Sequence, residues 1–287
     1  MIPGTILLAA AALTGASGRA PDDPLTRPMA VEREAEWLAP AEPMRVFGKT
    51  YLVGFGGLSV ALIDTGAGLI LIDAALPQAA PKILANVAKL GFRPHDIKYI
   101  LSTEPHFDHA GGLAALARDT GATVIASARG AQALRTGRFA ADDPQVGYNA
   151  RFPPVRNVRV IKDGAQLRLG DVVVTARATP GHTAGSMSWA WRSCKGRSCR
   201  KIVFGSSLNP VAGKGYRFTS PAGQAVVANY RRAHAAMNAV PCDILITAHA
   251  EQSGANGRFA VSPDACRAYA RASQRALAAR LDKERHQ

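Results

Sequence analysis

The sequence has four cysteines but no Cys-x-x-Cys and no Cys/His pair at ligand spacing. That argues against a metal site built on thiolates. It has no internal repeat and no low-complexity tract, which excludes solenoid and linker architectures. Acidic residues are scarce: 21 Asp and Glu stand against 35 Lys and Arg, for a formal net charge of +14. A surplus of that size suits nucleic acid, an anionic surface or anionic small substrates. The basic residues are scattered, with no basic run interleaved with aromatics. The charge therefore reads as solvated surface, and no nucleic-acid partner is expected. Beyond residue 20 no stretch is long and apolar enough to cross a membrane.

The apolar content, 47% of 287 residues, suffices for one large domain with a full core. Near the start, Ile6-Leu7-Leu8-Ala9-Ala10-Ala11-Ala12-Leu13 is an apolar run too short to span a bilayer. Small residues follow, at Ala16-Ser17-Gly18 and Gly18-Arg19-Ala20. Residues 1–20 are expected to be a secretory signal, leaving 21–287 as a single periplasmic domain without stable membrane association. An even number of cysteines agrees with an oxidising compartment. Three pairings are possible, and buried free thiols are the alternative.

One loop organises the chain: Ser102-Thr103-Glu104-Pro105-His106-Phe107-Asp108-His109-Ala110-Gly111-Gly112. It follows the apolar strand pattern Tyr99-Ile100-Leu101 and precedes a helical pattern from Leu113. Glu104, His106 and Asp108 alternate, so an extended backbone projects them to one side. Two carboxylates and two imidazoles packed this tightly call for a cation, and Zn²⁺ suits mixed nitrogen and oxygen donors. Gly111 and Gly112 let backbone pass close to the site.

Two further segments have the same character. Thr179-Pro180-Gly181-His182-Thr183-Ala184-Gly185 is a tight turn at a strand end. The buried run Cys242-Asp243-Ile244-Leu245-Ile246-Thr247 delivers Ala248-His249-Ala250. Elsewhere, strands are expected over 51–53, 59–63, 68–73, 97–101, 123–125, 158–162, 166–169, 172–179, 186–192 and 201–204. Helices are expected over 79–90, 112–118, 129–135, 222–239 and 261–283. Residues 21–43 read as an irregular leader, with Trp37 packed at a cleft rim or in the core. Tyr148, Phe152, Pro153 and Pro154 are candidates for a cleft wall, and Lys214, Tyr216 and Arg217 for steering an anion. Asp73, at the end of a buried strand, is placed to orient a ligand His or to serve as a turn residue. His95, His234 and His286 are not ligand candidates.

The loop resembles the His-x-His-x-Asp-His signature of the metallo-β-lactamase superfamily, with Glu104 in place of the first His. The segments around His182 and His249 resemble the family's later ligand motifs. The likeness is greatest to subclass B3, in which the first position is known to vary. It implies an α/β (α+β) fold, the four-layer αββα sandwich. It implies a monomeric zinc β-lactamase that opens the amide bond of a small-molecule β-lactam through a zinc-bound hydroxide. Glu104, His106 and His182 would hold the first zinc. Asp108, His109 and His249 would hold the second, with Asp108 also orienting the nucleophile. Many hydrolases of the superfamily carry a bridging Asp where this chain has Ser207. Ser207 and Asn209 resemble the B3 positions that bind the drug's carboxylate. The favoured disulfides are Cys194 with Cys199, and Cys242 with Cys266, the second tying a strand to the C-terminal helix as in B3 enzymes. Glu104 lowers the charge of the cluster, counted with two zincs and a hydroxide, from about +2 to about +1. A weaker first zinc site is therefore expected. The rival readings are a lactonase or thioesterase of the same fold, and a zinc-binding protein without activity.

Overall fold

The computed structural model describes residues 23–286. The segment 1–20, read as a signal, lies outside them. Leu69, Ile70, Leu71 and Ile72 are all buried, because their sheet is covered on both faces. Ile70 and Ile72 point to a second sheet, and Leu69 and Leu71 to helices. A strand buried on both sides reads as an unbroken apolar run.

The first sheet has the order β1 to β7: Met44–Phe47, Thr50–Leu52, Ala61–Asp64, Leu69–Ile72, Ile97–Leu101, Thr123–Ala126 and Val158–Val160. Pairing is antiparallel from β1 to β4 and parallel from β4 to β7. The second sheet comprises β8 Gln166–Leu169, β9 Val172–Ala178, β10 Met187–Lys195, β11 Ser198–Gly205, β12 Ile244–Thr247 and β13 Ala260–Val261, in the order β13-β12-β11-β10-β9-β8. The helices are α1 Glu34–Trp37, α2 Ala80–Lys89, α3 Phe107–Ala110, α4 Leu113–Thr120, α5 Ala128–Thr136, α6 Pro221–Ala239 and α7 Ala265–Arg285.

Between the sheets, Leu101 and Ile125 pack with Trp189, Trp191, Ile202 and Phe204. Outside the first sheet, Ile100 and Val124 meet Ile83 of α2 and Leu116 of α4. Outside the second, Val203 and Leu245 meet Met237 of α6 and Tyr269 of α7. The layers are thus helix, sheet, sheet and helix, an αββα sandwich. Among the described residues no helix is long and apolar enough to cross a membrane.

Two disulfides are present. Cys194–Cys199 joins a register pair of the β10–β11 hairpin. Cys242–Cys266 ties the residue two before β12 to α7. The strands around the first bridge run further than expected: Lys195 pairs with Ser198, and the two residues between them form a hairpin turn with Gly196 at φ 58°. β1 was also unexpected, and so was α1 within the leader. Phe152, a candidate for the cleft wall, is buried in the core instead.

Candidate metal centre

Segments leaving the ends of β4, β5, β9, β11 and β12 meet at one rim of the sandwich. They carry Asp73, the loop 102–112, His182, Ser207 and His249 respectively. Main-chain bonds fix them to one another. Asp73 N–H donates to Leu101 O at 2.9 Å, Met187 N–H to Thr103 O at 2.7 Å and Ser59 N–H to Ala248 O at 2.9 Å. The chain must also pass close to itself. A Cβ on Gly112 would lie 2.4 Å from Ala74 O, and one on Gly181, at φ 147°, 2.7 Å from the Tyr230 ring.

The rim holds two groups of buried donors. Glu104, His106 and His182 form one, Asp108, His109 and His249 the other, and within each group the donor atoms lie within 4.8 Å of one another. His109 Nε2 is 3.1 Å from His249 Nε2 and 3.2 Å from Asp108 Oδ2, and His249 Nε2 is 3.2 Å from the same Oδ2. Glu104 Oε1 stands 3.0 Å from His109 Nε2 and 3.8 Å from His182 Nε2, so it faces both groups.

The outer ring nitrogens select which inner atoms carry lone pairs. His106 Nε2 donates to Asp143 Oδ2 at 3.0 Å, leaving Nδ1 free to accept. His182 Nδ1 donates to Asn209 O at 2.9 Å, leaving Nε2. His109 Nδ1 faces Asp73 Oδ2 at 3.6 Å. Asp73 is itself held by Thr103, whose N–H and hydroxyl donate to it at 2.7 and 2.6 Å.

The donor set fits a divalent cation. Glu104 Oε1 is buried and makes no hydrogen bond, and the same is true of His249 Nδ1. Buried carboxylates without compensation are costly, and nitrogen with carboxylate oxygen is a borderline donor set that suits zinc. Titration follows from the same crowding. Burial pushes the Asp108 carboxyl up, but His109 and His249 outweigh it and hold it well below the usual range. Burial likewise opposes ionisation of Glu104, and His109, His182 and His106 bring it below its ordinary value. His109 is lowered by burial, yet Asp108 and Glu104 carry it well above the ordinary imidazole value. His182 is depressed by burial, which favours its neutral form.

Two residues at this rim gave no sign in the sequence. Asp143 and Gln145 are buried in the segment between α5 and β7. Asp143 receives His106, and Gln145 Nε2 lies 3.1 Å from His182 Nε2 and 3.4 Å from His106 Nδ1. Ser207 donates its main-chain N–H to Glu104 Oε2 at 2.9 Å, while its hydroxyl is buried without a partner. Asn209 Oδ1 is likewise unpartnered. Trp37 lies at the rim, its ring 5.4 Å from that of His249 and 6.2 Å from that of Phe107. Phe139 packs on His106 at 4.3 Å. The proposed anion-steering group is otherwise engaged in part, since Arg217 donates to Glu284 O of α7. His234 is buried between α6 and α7 and bonds Ser273 Oγ at 2.8 Å, away from the two donor groups.

The sequence matches the family model of the metallo-β-lactamase superfamily over residues 53–196. A solved B3 metallo-β-lactamase with an active-site glutamic acid is 63% identical, with a TM-score of 0.90 over 92% of this chain and 99% of that one. The structure of the Rm3 metallo-β-lactamase is 42% identical, with a TM-score of 0.85 over 90% of this chain and all of that one (100%). Among curated proteins, a hydroxyacylglutathione hydrolase from Anaeromyxobacter dehalogenans is 34% identical over 150 residues, 51% of this chain and 44% of that protein. The chain spans about half the length of the curated relatives it matches. On the family match and the structural likeness together, the chain belongs to the metallo-β-lactamase superfamily.

Proposed function

We propose that the chain is a periplasmic zinc β-lactamase. The observation that carries this reading is the pair of buried donor groups, with a carboxylate at the first position, in a chain 63% identical to a B3 enzyme that has an active-site glutamic acid. Glu104, His106 and His182 would hold one zinc; Asp108, His109 and His249 would hold the other. Zinc bound there supplies Lewis acidity and lowers the pKa of water to about 7.

The chain's own residues do the rest. Asp143 and Asn209 O keep the lone pairs of His106 and His182 turned inward. Asp73 does the same for His109. Asp108 stays ionised and serves as a hydrogen-bond acceptor that orients the attacking water. The unpartnered Ser207 hydroxyl and the carboxamide NH₂ of Asn209 are the donors that would bind a substrate carboxylate. Trp37, Phe107 and Phe139 supply an apolar rim that limits water around the reacting bond. The two disulfides accord with an oxidising compartment, and residues 1–20 with export into it. One domain acting as a monomer completes the reading.

Relatives named as hydroxyacylglutathione hydrolase and N-acyl homoserine lactonase motivate the rival substrates. The absence of a carboxylate at Ser207 counts against them. The test is a side-by-side assay on a penicillin, a carbapenem, an acyl-glutathione thioester and an acyl-homoserine lactone. The proposal expects β-lactam turnover to dominate. Thioester or lactone turnover without β-lactam turnover would overturn it.

A further inference from the structure

We infer that Glu251 is a positioning residue of the second donor group: its carboxylate accepts the outer N–H of His249 when that ring binds metal through Nε2. The inference rests on the reading of Asp108, His109 and His249 as a metal site.

The outer nitrogens of the other three rings are each provided for. His106 Nε2 donates to Asp143 Oδ2 at 3.0 Å, His182 Nδ1 donates to Asn209 O at 2.9 Å, and His109 Nδ1 faces Asp73 Oδ2 at 3.6 Å. His249 Nδ1 is buried and has no hydrogen-bond partner. A neutral imidazole carries one N–H and one lone pair. At His249 the contacts assign the N–H to Nε2, which lies 3.2 Å from Asp108 Oδ2, and leave the bare lone pair on Nδ1. Use of Nε2 as a metal donor moves the proton to Nδ1. A buried N–H without an acceptor then opposes binding. The ring therefore needs an acceptor that the metal-free arrangement does not use.

Glu251 Oε1 lies 4.0 Å from His249 Nδ1. It belongs to the single 3-10 turn Ala250–Ser253 that follows His249. The backbone of that turn is fixed, with Ala250 N–H donating to Gly57 O at 3.0 Å and Gln252 N–H to His249 O at 3.1 Å. Closing the gap to a charge-assisted hydrogen bond of about 2.8 Å takes only a side-chain rotation. The side chain is 46% exposed, so the rotation displaces no packed group. Arg33 restrains it weakly. Its Nη2 stands 3.4 Å from Glu251 Oε1, at the long end of hydrogen-bond range, while its Nε donates to Glu36 Oε2 at 2.9 Å. The same guanidinium lies 5.5 Å from the centre of the Trp37 ring, which packs 5.4 Å from His249. Glu251 thus stands between Arg33 and His249 and is firmly bonded to neither.

The test uses the purified full chain, stripped of metal. Zn²⁺ is titrated against a chromophoric chelator, and the Co²⁺-loaded protein is followed by proton NMR in water and in D₂O. His106, His109, His182 and His249 should each give one exchangeable ring N–H signal shifted by the metal. Glu251→Ala should remove one of these signals or speed its exchange with solvent. It should also lower affinity at the Asp108, His109 and His249 half-site by about 10-fold or more, with the Glu104 half-site unchanged. Glu251→Gln keeps an acceptor oxygen without the charge, so it should retain the signal and most of the affinity. Glu251→Ala protein with wild-type affinity and all the ring signals overturns the inference while leaving the half-site intact. Glu251→Gln protein as weak as Glu251→Ala shows that charge alone acts, and overturns it as well. A chain whose metal uptake is unaffected by His249→Ala overturns the half-site reading itself, and the inference with it.

Discussion

The main-chain N–H of Ser207 donates to Glu104 Oε2 at 2.9 Å, and that bond decides which carboxylate oxygen faces the rim. Oε1 is left buried and unbonded, 3.0 Å from His109 Nε2 and 3.8 Å from His182 Nε2. Glu104 is thus held by β11's loop on one side and presented to both donor groups on the other. A carboxylate in this position changes the charge of the whole centre as well as one ligand.

Glu104→His raises the formal charge of the cluster by about one unit. Imidazole suits zinc better than carboxylate does, so the zinc content of protein prepared at limiting zinc should rise, and the added positive charge should lower KM for anionic β-lactams. Metal analysis and steady-state kinetics on the two proteins check this. Unchanged stoichiometry and unchanged turnover would show that the charge argument is wrong.

The pKa directions give a pH dependence with a definite sign. The folded pKa of His109 is raised, so its stabilisation of the metal-free fold is full below about 6.5 and is lost as pH rises through the raised value. Glu104 and Asp108 are depressed, so theirs is present above about 4 and is lost as pH falls through the depressed values. Zinc must also displace the His109 proton. Affinity at the half-site of Asp108, His109 and His249 should therefore increase with pH up to the raised pKa of His109, with about one proton released per ion below it. Calorimetry in buffers of different ionisation enthalpy measures that release. An affinity independent of pH between 6.5 and 8 would contradict it.

Asp73 sits at φ 64° and accepts both Thr103 donors while facing His109 Nδ1. Asp73→Ala leaves two buried donors unsatisfied, at about 1 to 3 kcal/mol each, and forces Ala into a left-handed backbone. Asp73→Asn tolerates that backbone and keeps one acceptor oxygen. Both variants should lose zinc affinity by about 10- to 100-fold, with the Ala variant showing much the larger drop in Tm. Equal Tm values for the two would remove Asp73's role in holding the 102–106 loop.

The Cys242–Cys266 bridge spans 24 residues and joins the second sheet to its covering helix. Replacing both cysteines with Ser should cost about 3 to 4 kcal/mol of stability in the chain-entropy model. Denaturant unfolding measures the cost. The donor groups lie at the far side of β12 from the bridge, so metal stoichiometry should stay the same.

What could be read from the sequence follows from local patterning. β5 has the bounds 97–101 and β8 the bounds 166–169, both as expected, because apolar runs bounded by turn residues need no tertiary information. The six donors were legible because Pro, Gly and strand ends frame them at short range. β1 was missed because it is an edge strand whose residues are at best half-buried, so it carries no two-faced apolar signature. α3 was hidden inside the ligand loop, where Phe107-Asp108-His109-Ala110 reads as donors rather than as a helical turn. Asp143 and Gln145 were illegible for a different reason. They reach His106 across 37 and 39 residues, and nothing near them in the chain announces the contact.

The most direct test of the account is carbapenem hydrolysis by chelator-stripped protein as zinc is added back. Turnover absent from the stripped protein, then rising with zinc until two ions are bound per chain, is the predicted result. No turnover at two bound zinc ions per chain, or turnover indifferent to the chelator, would contradict it.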